Sequence, residues 1–165
     1  MEKLSLNQIG LYNAQRMSDD VVEKLFVVRK NLFELVLNKI TAEPLDSISQ
    51  NHMFIGQRGM GKSTLLKRLE VELRTKYSKN FIPLLFPEEQ YNIDKLSDFW
   101  LNCLDAMADT LEVEKNKKDA AVIDQIVQEL EKVDKTEVDH LAFERLIEYS
   151  KKMGRRPVLL VDNLG

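Results

Sequence analysis

Eight residues constrain this chain more than any others: Gly56-Gln57-Arg58-Gly59-Met60-Gly61-Lys62-Ser63. They fit the spacing G-x-x-x-x-G-K-[ST] at every fixed position. Glycines at that spacing let the backbone curl until successive N–H groups point inward. Such a concave row of donors suits an anion, and a helix starting near Lys62 adds the positive end of its dipole to the same point. A lysine ammonium and a serine hydroxyl complete a cradle for a nucleoside triphosphate. Lys62 reaches the β- and γ-phosphates, and Ser63 ligates Mg²⁺. Thr64, one residue deeper in the first turn, is placed to contact the α-phosphate. The plain alternative is a chance match in a glycine turn. The flanks argue against it, because an apolar run precedes the loop and an amphipathic segment follows it. The motif alone does not separate ATP from GTP.

The rest of the chain is organised around that loop. Its first 17 residues have weak periodicity and read as an irregular arm. Ser18, Asp19 and Asp20 offer an N-cap and first-turn acids. Val21, Leu25, Val28, Leu32 and Leu35 then recur at helical spacing, which predicts one amphipathic helix ending at Pro44. Asp46 to Asn51 forms a polar connector, so residues 1–45 are expected as a lead-in and residues 46–165 as the nucleotide-binding core.

Within the core, His52-Met53-Phe54-Ile55 predicts a buried strand stopping at Gly56. Leu65, Leu66, Leu69 and Leu73 predict the next helix. Phe81-Ile82-Pro83-Leu84-Leu85-Phe86 predicts a second strand, placed at an edge because Pro83 lacks a ladder donor. Ile93, Leu96, Trp100, Leu104, Met107 and Leu111 keep helical spacing until Asn116-Lys117-Lys118 interrupts it. Ile123, Ile126, Val127 and Leu130 predict another helix, and Ala142, Phe143, Leu146 and Ile147 one more, with Gly154 as its left-handed cap. Val158-Leu159-Leu160-Val161 then predicts a central parallel strand ending in Asp162. Strands alternating with helices define an α/β fold, here a three-layer α/β/α P-loop architecture with a parallel sheet behind an N-terminal helix.

Asp162 is the expected second acidic group, holding Mg²⁺ through water and steadying the Ser63 site. Its neighbour is Asn163. An amide orients water by hydrogen bonding but does not take its proton at neutral pH. Glu88 and Glu89 are alternative bases at the end of the second strand, against the simpler reading of a solvated acidic turn. Other groups point less far. Lys151, Lys152, Arg155 and Arg156 suit a helix C-terminus, with a phosphate or nucleic-acid contact as the lesser reading. His52 and His140 lack neighbours at metal-ligand spacing, and Cys103 reads as a small buried hydrophobe.

The net charge of −3 gives no general support for nucleic-acid binding. No run of 18 apolar residues is present, so no membrane span is expected. Residues 1–5 lack a secretory apolar run, and a single cysteine makes no internal disulfide. The expected setting is cytoplasmic.

Gly56 to Thr64, followed by Leu65-Leu66-Lys67-Arg68-Leu69, resembles the AAA+ and STAND-type ATPases, particularly the branch of archaeal ATPases and replication initiators. Leu25-Phe26-Val27-Val28-Arg29-Lys30-Asn31-Leu32 is similar to the segment that lies beside adenine in that branch. The resemblance implies base contact near Phe26 to Arg29 and favours ATP over GTP. It also implies a nucleotide-dependent switch or a weak ATPase working in an assembly with other subunits. An interaction module with a vestigial site, or a DNA-associated initiator or defence ATPase, is the alternative. Two departures stand out. Asn163 occupies the place of the family's catalytic glutamate, and Gly165 comes three residues after Asp162. None of the family's later parts, a sensor strand, an arginine finger and a lid, can be placed on these residues. Because that family inserts the later strand between the two central ones, the sheet is expected to be incomplete and finished by a missing C-terminal portion or another chain. A kinase- or GTPase-like order, with those strands adjacent, is the other solution.

Overall fold

The computed structural model describes residues 17–42, 44, 51–57, 59–86 and 95–162. They form α1 (Asp19–Leu25), α2 (Lys30–Ala42), α3 (Lys62–Lys76), β1 (Phe81–Phe86), α4 (Leu96–Val113), α5 (Lys117–Leu130), α6 (Lys135–Met153) and β2 (Arg156–Val161). The chain divides into two compact units, Met1–Val71 and Glu72–Gly165. Among the described residues, no helix is long and apolar enough to cross a membrane.

In the first unit the single helix expected after Ser18 is two helices. Ser18 opens α1 with an extended backbone, and Asp19 and Asp20 occupy the first turn as anticipated. The helix stops at Leu25, and Arg29 adopts a left-handed backbone with φ 67°. Its carbonyl then accepts the Phe33 N–H at 3.0 Å, starting α2 at once. The buried face lies one residue beyond the expected stripe: Val22, Phe26, Phe33, Val36 and Leu37 are buried, whereas the expected Val28 and Leu35 are 70% and 54% exposed.

A second correction concerns residues 52–55. They belong to no strand, and Met53 and Ile55 are 76% and 91% exposed. A strand exists through its ladder, and no described backbone pairs with this run. Residues Leu65, Leu66 and Leu69 of α3 are buried in this unit, as their spacing requires.

The second unit is built on α4, which packs against β1, α5 and α6. Leu104, Met107 and Leu111 of α4 are fully buried with Ile82, Leu84, Ile123, Ala142 and Leu146. β1 and β2 form a parallel two-stranded sheet, in register from Phe81 opposite Arg156 to Phe86 opposite Val161. Asn80 and Phe86 turn their carbonyls to β2, accepting from the N–H groups of Arg156 and Asp162. Pro83 has the opposite parity, so its missing donor costs no bond to β2. Its carbonyl instead accepts the Thr110 hydroxyl at 2.6 Å, tying β1 to α4. The edge assignment of β1 thus has a physical basis. β2 is less buried than a central strand: Leu159 is 37% exposed, and only Leu160 of its six residues is buried. Among the described residues β2 has one neighbour, β1, which leaves its second edge without a ladder. The fold is α/β and mostly helical, with a sheet of the size expected of part of a P-loop domain.

Local chemistry sets the connections. Lys115 (φ 63°) turns the chain, and the Asn116 side chain caps α5 by accepting from Asp119 N–H. Asn116 and Tyr149 also donate to the Asp119 carboxylate, which holds its pKa below the usual range. Gly154 ends α6 with φ 65°, the left-handed cap anticipated from its position.

On α4, the half-buried Asp105 has a carboxyl pushed up to about 6, first by burial and then by the charges of Asp109, Glu131 and Asp124. A carboxyl raised on folding holds its proton more tightly in the folded chain. Its ionised form therefore lowers stability above pH 6, and that penalty disappears as pH falls through 6 towards the ordinary value. Asp105→Asn should stabilise the second unit at pH 7 by on the order of 1 kcal/mol, a gain that shrinks to nearly nothing at pH 4. Thermal melts at the two pH values measure the difference.

Candidate functional site

The loop preceding α3 is bent by two glycines. Gly59 and Gly61 have φ of 82° and 78°, a region that any side chain would enter only with strain. A turn closes between them and the loop's start, with Met60 N–H donating to the Gln57 carbonyl at 3.3 Å. The helix begins at Lys62, and Leu65 N–H to the Gly61 carbonyl is its first backbone bond at 3.0 Å. The N–H groups of a helix's first turn have no acceptor within the helix, so Lys62, Ser63 and Thr64 present donors and the dipole's positive end. Lys62 curls back over the loop, its ammonium donating to the carbonyls of Gly56 at 2.7 Å and Gln57 at 3.1 Å. These two bonds hold a full positive charge across the loop, beside the donors. Backbone donors, a helix terminus and a cation lie on one short stretch of chain, the groups that a polyphosphate requires.

Next to the loop lies a small open pocket of about 100 Å³, lined by Phe26, Val28, Arg29, Met60, Gly61 and Thr64. The break between α1 and α2 therefore forms one wall and the loop the other. The Phe26 ring meets Phe33 of α2 edge-on, with centroids 5.6 Å apart. Arg68, on the helix that follows the loop, stacks its guanidinium over the other ring of that pair, 4.8 Å from the Phe33 centroid. Neither Phe33 nor Arg68 stood out in the sequence. A signal was present, because Phe33 follows Phe26 by seven residues, but the Leu/Val stripe masked it.

Asp162 belongs to the second unit, whereas Lys62 and Ser63 belong to the first. It follows β2, is buried, and donates its backbone N–H to the Phe86 carbonyl at 3.3 Å. Arg58, Glu88, Glu89 and Asn163 lie outside the described residues.

The basic cluster separates into unlike parts. Lys151 and Lys152 are exposed in the last turn of α6, with Lys152 over the Tyr149 ring. Arg155 instead grips Glu114 through two bonds of 2.8 and 2.6 Å and donates to the Phe81 carbonyl. That arginine is a structural clamp. Cys103 is fully buried in α4, and burial pushes its thiol up to about 12, which makes it a packing residue. Among the described residues no three His, Cys, Asp or Glu side chains gather as a metal site.

A glycine-bent loop feeding a helix N-terminus, with its lysine folded over the loop, defines a P-loop protein of the α/β class. A family model described as ORC-CDC6-like matches residues 7–106, more than half of the chain, and the chain belongs to that family. The match begins ahead of α1, takes in the loop and ends within α4. It relates the protein to the AAA+ P-loop ATPases of the ORC/CDC6 type, a coarser placement than the STAND and archaeal branches. No curated protein and no solved structure matches the chain.

Proposed function

We propose that this chain binds Mg-ATP and works as a nucleotide-dependent switch, or a weak ATPase, within an initiator-type assembly. The observation that carries the reading is the Lys62 ammonium held over a loop whose Gly59 and Gly61 are both left-handed, immediately beside an apolar pocket. In this reading residues 46–165 are the nucleotide-binding part and residues 1–45 lead into it. Backbone N–H groups of Gly56, Gln57 and Gly59 to Thr64 would surround the phosphates, and Lys62 would neutralise the β- and γ-phosphates. Ser63 would hold Mg²⁺ and Thr64 would contact the α-phosphate, with Asp162 the sequence's candidate for the metal's acidic partner. Bound Mg²⁺ offsets negative charge on the phosphate oxygens. Phe26, Val28 and Arg29 supply the wall for the base, an apolar surface that suits adenine.

Asn163 supports the switch over the fast enzyme. An amide can orient water by hydrogen bonding but does not take its proton at neutral pH. Without a base, binding energy goes into selecting a conformation, and ATP favours whichever state it binds more tightly. Other subunits, or a further portion of the chain, are the expected partners of that state.

Binding of Mg-ATP and Mg-GTP, followed by phosphate release, tests the reading. ATP should bind more tightly than GTP, and turnover should stay below about 1 s⁻¹. Asn163→Glu should raise turnover without tightening binding. Undetectable ATP binding by folded protein would sink the proposal, and faster wild-type turnover would replace the switch with an enzyme.

A further inference from the structure

The pocket wall is not held by its own helices alone. Arg68 lies on α3, six residues after Lys62, with a side chain that is largely buried. Its guanidinium covers the Phe33 ring at 4.8 Å, and its Nη1 is 3.7 Å from the Glu23 carboxylate of α1. Phe33 in turn packs edge-on against Phe26, a lining residue of the pocket. One cation thus touches both helices that flank the left-handed break at Arg29. A planar guanidinium does two jobs here that an apolar side chain does not: it stacks on the ring and attracts the carboxylate.

We propose that Arg68 is the positioning residue of the base pocket, fixing Phe33, and through it Phe26, to the helix that carries the phosphate loop. The proposal rests on the reading of this loop and pocket as a nucleotide site. Arg68 touches neither phosphates nor base in this scheme. It sets the distance between the base wall and the first turn of α3, so that one ligand can meet both. Removing it should loosen the wall and leave the glycine-bent loop intact, because the loop's own bonds are made by Gly56, Gln57, Met60 and Lys62.

That division predicts a split between two ligands. Mg-ATP uses wall and loop, whereas inorganic Mg-tripolyphosphate uses the loop alone. Arg68→Met keeps an unbranched apolar stem and removes the guanidinium with its charge. It should weaken Mg-ATP by about tenfold and leave Mg-tripolyphosphate within about twofold of the wild type. Phe33→Leu should show the same split, and Arg68→Lys should recover part of the ATP affinity because it keeps a cation over the ring. Equilibrium binding of both ligands to the full chain, with circular dichroism to select folded variants, makes the measurement. Equal losses for the two ligands, or unchanged ATP affinity in both Arg68→Met and Phe33→Leu, would overturn the positioning role. A wild type that binds neither ligand would fail at the nucleotide site itself, taking this role with it, and is recognised before any variant is made.

Discussion

Lys62→Ala should weaken Mg-ATP binding by on the order of 10- to 100-fold, since a bond from an ammonium to phosphate contributes about 1.5–3 kcal/mol and the two loop carbonyls leave this ammonium one free donor. The substitution removes more than a charge. In the folded chain the ammonium is held by the Gly56 and Gln57 carbonyls, so it is stationed over the loop before any ligand arrives. Pre-placement of this kind lowers the cost of ordering a flexible side chain on binding. Both of those bonds are exposed, so the fold itself should lose little. Melting without nucleotide should therefore shift by less than about 0.5 kcal/mol, as for an ordinary surface change. Lys62→Arg should rescue poorly, because a planar fork does not fit a seat made of two carbonyls on one loop. Isothermal titration of the three proteins decides the matter. ATP affinity within threefold of wild type in Lys62→Ala would remove the loop from the proposed function.

The second large effect belongs to the clamp in the other unit. Arg155 reaches Glu114 at the end of α4 with both arms of its guanidinium and donates to the Phe81 carbonyl at the start of β1. Both side chains are largely buried. Glu114→Ala leaves a buried cation without its carboxylate and should cost the unit about 3 kcal/mol, far more than an exposed ion pair. Removing both partners in Glu114→Leu with Arg155→Met should restore most of that loss, since apolar groups of similar volume replace a desolvated pair at little cost. Trp100 is the chain's one tryptophan and packs against Phe99 and Phe143, so its fluorescence follows this unit in denaturant. A single-substitution cost under about 1 kcal/mol would show that water screens the pair as it does at a surface. With the larger cost, stability and nucleotide binding answer to different residues, Glu114 and Arg155 for one and Lys62 for the other.

The bend of the loop and the helix after it were readable in the amino-acid order because they are local. Positive φ at Gly59 and Gly61 and the helix start at Lys62 involve residues within one turn of each other. The same holds for α3 to α6 and for Gly154, where periods of three and four and a single cap carry the signal. Phe26, Val28 and Arg29 came through the family likeness, and the structure places them on one pocket with Met60, Gly61 and Thr64.

Other features were beyond local reading. Whether His52-Met53-Phe54-Ile55 is a strand depends on a partner for its ladder, which no property of the four residues supplies. The same applies to β2, whose apolar run matches a central strand but has a neighbour on one side among the described residues. The break at Arg29 was hidden by a stripe that reads as one helix, and the left-handed backbone of Arg29 between α1 and α2 separates the two readings. Arg155 looked like one of four similar cations until Glu114, 41 residues earlier, was beside it. Residues near in sequence share a backbone geometry that their own chemistry dictates. Ladders, stacked rings and buried ion pairs join residues far apart in the chain, and those partners are chosen only when the whole core closes.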